Sequence, residues 1–301
     1  MDATVTTVLG SWHWRPDVLL VVVGLGALYI TGWWRLRRRR PQVASPWQLA
    51  LYLAGLAAIA AALLSPLDPL ASRLLTAHML QHELLMMVAP PLLLLATPLP
   101  VVLWALPRRV RHRLGRLLTR GTRVRRIVRA LTWMPVSWVV YMVILWGWHL
   151  PASFEASLRS ELVHNAQHLS FFAAALLYWF PLINPAPRVH GHIPYGFRLV
   201  YVIAAVVPIM LPVMSIALFA QEVFYPYYVT VPRLWGLTPL EDQMAGWALM
   251  GVIDGMVYGT TFLLLFAKML EHEERMTRLR EALDVRPTGN SRGGTPRPQG
   301  S

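Results

Sequence analysis

Apolar residues run through the chain in long blocks broken by short polar connectors. Seven blocks, at 17–34, 47–64, 76–97, 132–150, 164–183, 197–220 and 243–267, are long enough, or nearly so, to cross ~30 Å of hydrocarbon at ~1.5 Å per helical residue. The pattern predicts an all-α fold, a polytopic membrane bundle of seven transmembrane helices. The segment 98-PLPVVLWAL-106 is too short to span, and after a kink at Pro90-Pro91 it is expected to lie at the membrane interface. The first block follows MDATVTTVLGSWHWRPD, which has neither a basic region nor a small-residue cleavage site, so it reads as a retained span rather than a signal peptide.

Composition agrees with a membrane class: 55% of the 301 residues are hydrophobic and only 14% are charged. A net charge of +13 raises nucleic acid as a partner. The basic residues sit in short connectors, however, where membrane orientation accounts for them, and no nucleic-acid partner is expected. Five arginines fill 35–40 and ten fill 108–129; Arg188 and Arg198 flank the fifth connector, and Lys268 with six arginines follows the last span. Only Arg15, Arg73, Arg159 and Arg233 fall on the other side. The positive-inside rule then puts the N-terminus outside and the C-terminus in the cytoplasm. Residues 1–270 form the seven-helix domain; 271–301 read as a cytoplasmic charged helix, EHEERMTRLREAL, followed by a Pro/Gly/Ser-rich tail expected to be disordered. The connector 221–243, rich in Tyr, Pro and Trp, reads as an aromatic belt folded over the bundle in preference to a docking surface.

Sidedness gathers the histidines. His78 and His82 open the third span at its outer end, His149 closes the fourth, and His164 and His168 open the fifth. Both pairs are HxxxH, and residues i and i+4 on a helix project from one side about 6 Å apart, within reach of one metal ion. The bland alternative is a set of interfacial histidines bonded to loops. Cysteine is absent, so any metal is held by His, Met or carboxylate. Imidazole with thioether on an oxidising face suits copper better than zinc. Met86 continues the row of His78. Met210 and Met214 on the sixth span, with Met250 on the seventh, offer a soft-ligand path inward.

Carboxylates are expensive in lipid and face a partner or a cavity. Glu83, beside His82 at the outer boundary, either orients a ligating imidazole or meets water. Asp254 lies near the bilayer centre with Met250 one turn before it, and marks a polar site or a structural hydrogen bond. Asp68 and Asp242 either supplement the cluster or cap helices.

The segments HMLQHELLMMVAPPLLLLATP, HNAQHLSFFAAALLYWFPLINP and EDQMAGWALM resemble the CtaG family of cytochrome c oxidase assembly factors. The resemblance runs over spans two to seven. It implies a multi-pass protein of the bacterial plasma membrane that handles copper while a haem–copper oxidase matures, with a subunit of that oxidase as its client. It implies ligands at His78, His82, His164 and His168, with Asp242 in the final motif. Ala245-Gly246 replaces an expected second glycine, and Asp254 stands outside the pattern. The reading is therefore of a non-enzymatic copper-binding factor. Two rivals stay open: a copper transporter working through Asp254, Met250 and the methionines of span six, with Pro208 and Pro212 loosening that helix, and a haem-binding redox protein.

Overall fold

A computed structural model describes residues 15–117, 119 and 121–284, and every regular element among them is helical. Helix α1 (Pro16–Arg39) starts on a proline, whose missing N–H costs nothing in a first turn, and ends on Arg37, Arg38 and Arg39 at the negative pole of the helix dipole. Helix α2 (Pro46–Leu64) starts from a capping box in which the Ser45 hydroxyl accepts from the Trp47 N–H and the Gln48 amide oxygen from the Ser45 N–H. After the short α3 (Leu67–Ala71), the third span is built from α4 (Leu75–Glu83), a π-turn (Leu84–Val88) and α5 (Ala89–Leu95). There follow α6 (Pro98–Ala105), α7 (Arg108–Leu117), α8 (Arg123–Leu131), α9 (Met134–His149), α10 (Pro151–Arg159), α11 (Glu161–Ile183), α12 (Tyr195–Phe219), α13 (Tyr227–Thr230) and α14 (Pro239–Asp284).

Six of these runs are long and apolar enough to cross a membrane. Helix α9 makes a seventh when it is counted with α8, from which it is bent by 61°. The bend falls at Thr132-Trp133, where Pro135 leaves the new helix without a ladder N–H in its first turn. The third span is the hub, packed by α2, α11 and α14. Of its most apolar stretch 67% is buried, against 17% for that of the peripheral α1.

The double proline acts differently from the expected kink. Pro90 has no N–H to give to the carbonyl of Met86, and the helix widens into the π-turn just before it, with the Ala89 N–H reaching back five residues to Leu84. The indole of Trp179 on α11 donates to the released Met86 carbonyl at 3.1 Å. The chain stays helical past both prolines and breaks at Thr97 instead, in the left-handed region at φ 47°. There the Tyr29 hydroxyl donates to the Ala96 carbonyl (2.9 Å) and Gln48 to the Thr97 hydroxyl (3.1 Å), so the helix end is satisfied. Helix α6 then packs directly on α1. Gly32 lets the two backbones meet at Val101, and Arg35 donates to the Ala105 carbonyl (2.7 Å).

Helix α14 runs unbroken through the last span and the charged segment, because nothing between Lys268 and Asp284 stops it; the boundary drawn at 270 falls inside it. The tail 285–301, expected to be disordered, lies outside the described residues.

Candidate metal centre

Helix α4 begins where it does because α14 caps it. The Asp242 carboxylate accepts from the N–H of Leu75 (2.8 Å) and of Thr76 (3.1 Å) and from the Thr76 hydroxyl (2.8 Å), with Arg233 against it at 3.4 Å. A charge on the first N–H groups of a helix satisfies otherwise orphaned donors and suits the dipole. Of its two expected roles Asp242 therefore takes the cap, and its fixed carboxylate sets the phase of α4 one turn before His78. Asp68 accepts from the Gln81 side chain at 3.0 Å.

Three helices deliver the histidines to one end of the bundle, opposite the arginine-rich connectors. His78 and His82 stand on α4, His149 ends α9, and His164 and His168 stand on α11. One ring nitrogen from each of His78, His82 and His168 lies within 4.8 Å of the others. His164 adjoins them, its ring 4.2 Å from that of His168 and 5.1 Å from that of His78. His149 is 6.0 Å from His82 on the far side. Sequence spacing thus brings all five into one neighbourhood, with His164 and His149 at its margins.

Four of the rings are buried and that of His164 is half-buried, and most of their nitrogens lack partners. Both nitrogens of His78 and of His82, and Nε2 of His149, His164 and His168, have no hydrogen bond. The exception carries information. Nδ1 of His149 is 2.7 Å from the Leu145 carbonyl, and because a carbonyl only accepts, Nδ1 holds the proton and Nε2 keeps its lone pair. A buried polar atom left unpaired costs about 1–3 kcal/mol, so several in one volume favour an incoming ligand that accepts nitrogen lone pairs. Of the bland alternative, bonding to loops, the cluster shows the approach of the Gln167 side chain and the Ala71 backbone to His78.

Aromatic side chains wall the cluster. Phe154 packs on His78 (4.8 Å) and Phe171 on His82 (4.7 Å), while Trp247 from α14 covers His149 (5.5 Å). Tyr225, in the connector expected as an aromatic belt, stacks on Phe154 (4.1 Å) and donates to the His149 carbonyl (3.0 Å). Tyr228 is likewise buried, on the Ala71 carbonyl (2.7 Å). This connector is a lid over the histidine end. Gln167, also buried, stands beside His78. None of these residues was singled out from the sequence, since an aromatic or amide side chain in an apolar block carries no spacing signal.

Glu83 departs from expectation. It neither meets water nor bonds His82; it is 2% exposed and interacts electrostatically with Asp254. Adjacent helical residues diverge by about 100°, so while His82 faces α11 its neighbour faces α14. Asp254 is equally buried, with Oδ1 unpartnered. The pair continues into tyrosines: Asp254 lies near Tyr141 and Tyr258, whose hydroxyls are 3.2 Å apart, and Tyr178 and Tyr201 carry the stack on toward Ser137 at the opposite end. Met86 and Met250 are buried in the same core, and Met214 packs on α14 at Gly251, with Met210 partly buried one turn earlier.

A crevice of about 560 Å³ separates α1 and α2 from α5 and α11. Val21, Leu25 and Leu169 line it and are exposed on the bundle surface, while His168 forms part of its wall. Arg15 bridges its rim to Asn165 at 2.8 Å. The cluster therefore borders a sideways apolar opening as well as the lid.

Hub, imidazoles and lid together define a multi-span membrane protein with a buried histidine group at one end. Residues 27–272 match the family described as cytochrome c oxidase caa3 assembly factor (Caa3_CtaG), and the chain belongs to that family. No curated protein and no solved structure gives a match.

Proposed function

We propose that this assembly factor takes copper as cargo at the histidine end and hands it within the membrane to a subunit of a haem–copper oxidase. The observation that carries the reading is the set of unpartnered nitrogens on His78, His82 and His168. Neutral imidazoles suit a copper ion, and a set without thiolates holds it exchangeably, as transfer requires. His164 and His149 stand close enough to take over as the ion moves. The crevice beside His168 supports a sideways route to a membrane-embedded client. By the positive-inside rule the histidine end faces outward from the bacterial plasma membrane. The role is that of a carrier and calls for no catalytic group.

The test is copper uptake by detergent-purified protein, wild type beside a variant with His78, His82, His164 and His168 changed to alanine, together with oxidase maturation in cells. Uptake and maturation should both be lost while helicity is retained. Unchanged uptake in the variant would refute the proposal.

Transport across the membrane is favoured by one observation, the buried Glu83–Asp254 pair continuing inward from the cluster. Entry of radioactive copper into proteoliposomes, abolished by Asp254→Asn, distinguishes it from handover. Haem fits poorly, because Phe154 and Phe171 pack against the imidazoles and occupy the space a macrocycle needs.

A further inference from the structure

The opposite end of the molecule holds a second concavity, of about 610 Å³. Arg125, Arg126 and Arg129 of α8 line it together with Arg188, His190 and His192 of the connector between α11 and α12, and among the described residues no carboxylate lines it. Arginines that serve only to orient a membrane protein can splay into water. These converge from two separate segments, an arrangement that suits a counter-anion.

The connector is held in place. Arg125 donates to the Arg188 carbonyl at 2.7 Å, and the Asn184 side chain donates to the Gly191 carbonyl at 3.5 Å. The Thr132 hydroxyl donates to the Val128 carbonyl (2.6 Å), so at 2.7 Å from His190 Nε2 it acts as acceptor and leaves Nδ1 of that ring for other partners. Burial first, and then the charges of Arg129 and Arg125, hold His190 below the usual histidine range, with the Thr132 contact opposing them. Gly121 and Gly191 supply walls without side chains, which lets a bulky anion approach the backbone.

Helix α8 is sided. Val124, Ile127 and Leu131 are exposed on one face, and Arg125, Arg126 and Arg129 occupy the other. Such a helix rests in the membrane interface with its apolar face in hydrocarbon and its guanidinium groups at phosphate depth. Guanidinium binds phosphate through paired N–H donors.

We propose that this arginine–histidine pocket is a binding site for a phosphate-bearing anion, with the headgroup of an anionic phospholipid as the source that the sidedness of α8 favours. The experiment measures binding by purified full-length protein of phosphatidylglycerol or cardiolipin, of phosphatidylcholine, and of inorganic phosphate or pyrophosphate. The pocket variant is Arg126→Gln/Arg129→Gln/Arg188→Gln; Arg125 is kept because it holds the connector. The control, Arg108→Gln/Arg109→Gln/Arg113→Gln, removes equal charge from α7 outside the pocket.

At about tenfold or less per arginine, the pocket variant should lose roughly 100-fold in affinity for anionic lipid, against a few-fold for the control. Tighter binding of anionic lipid than of phosphate supports the headgroup. Binding of free phosphate that is equally strong, and lost in the pocket variant, keeps the site and reassigns its source. Equal losses in both variants, or no binding of any probe, overturn the proposal. If the triple variant loses helicity, Arg126→Gln and Arg129→Gln taken singly should each weaken binding several-fold, and no change in either also overturns it.

Discussion

Replacing Asp242 by asparagine separates a cap from a ligand. The change preserves shape but removes the charge, and it turns one of two acceptor oxygens into a donor facing a backbone N–H or the Thr76 hydroxyl. At least one hydrogen bond of 2.8–3.1 Å is lost outright, the others become neutral, and Arg233 keeps its backbone carbonyls but loses its ion-pair partner. A charge-assisted bond contributes about 1.5–3 kcal/mol and a stranded buried donor costs about 1–3 kcal/mol, so the expected loss is roughly 3–5 kcal/mol. With about 2–4 °C per kcal/mol for a chain somewhat shorter than this one, the apparent Tm in detergent should fall by roughly 10 °C. Copper stoichiometry at saturation should not change, because the carboxylate points into the helix start. The assay is a thermal melt followed by helix signal, paired with metal analysis of the folded fraction. A Tm within about 2 °C of wild type refutes the cap, and loss of bound copper at unchanged Tm would make Asp242 a ligand.

Further expectations are independent of that one. Trp179→Phe leaves the Met86 carbonyl without its donor and should cost about 1–3 kcal/mol, read as a lower Tm with the fold retained. Gly32→Ala drives a methyl group into the Val101 backbone and should destabilise by about 1–3 kcal/mol, whereas Gly251→Ala meets side chains alone, the flexible end of Met214 and a Val213 methyl, and should cost less; equal melts for the two would contradict this packing. Copper uptake should weaken steadily on acidification, since protons compete for the same imidazole lone pairs, and a flat pH profile would point to ligands other than histidine. Tyr225→Phe removes the bond from lid to His149 carbonyl and should speed copper release measured with a chelator, leaving capacity unchanged.

Much of this architecture was legible because its causes are local. Hydropathy marks the spans, and a four-residue spacing turns each histidine pair to one side of its helix. That His149 joins them follows from alternation of the spans, which brings the end of one beside the start of the next. The rest depends on tertiary partners. The helix survives Pro90-Pro91 because Trp179, distant in sequence, takes up the freed carbonyl, and it ends at Thr97 because Tyr29 and Gln48 receive it there. Glu83 reads as a boundary residue until α14 is known to lie against it. The fourth span is short, at 16 residues, because its helix starts afresh after the 61° bend from α8. The arginine pocket is hidden for the opposite reason: a single orienting role explains every arginine in the sequence, so their convergence leaves no separate trace.

Helix α14 has a mechanical consequence. At ~1.5 Å per residue its 46 residues form a rod of roughly 69 Å, against about 40–45 Å for a whole bilayer with headgroups. Its tip therefore stands well clear in water while its base grips α4 through Asp242, with Asp254 along the shaft between them. Because the helix is continuous, any rotation of the protruding end about its axis would be carried to both carboxyl groups and to the root of the helix bearing His78 and His82. A soluble partner that seizes the tip thus has a handle on the opposite side of the membrane without crossing it.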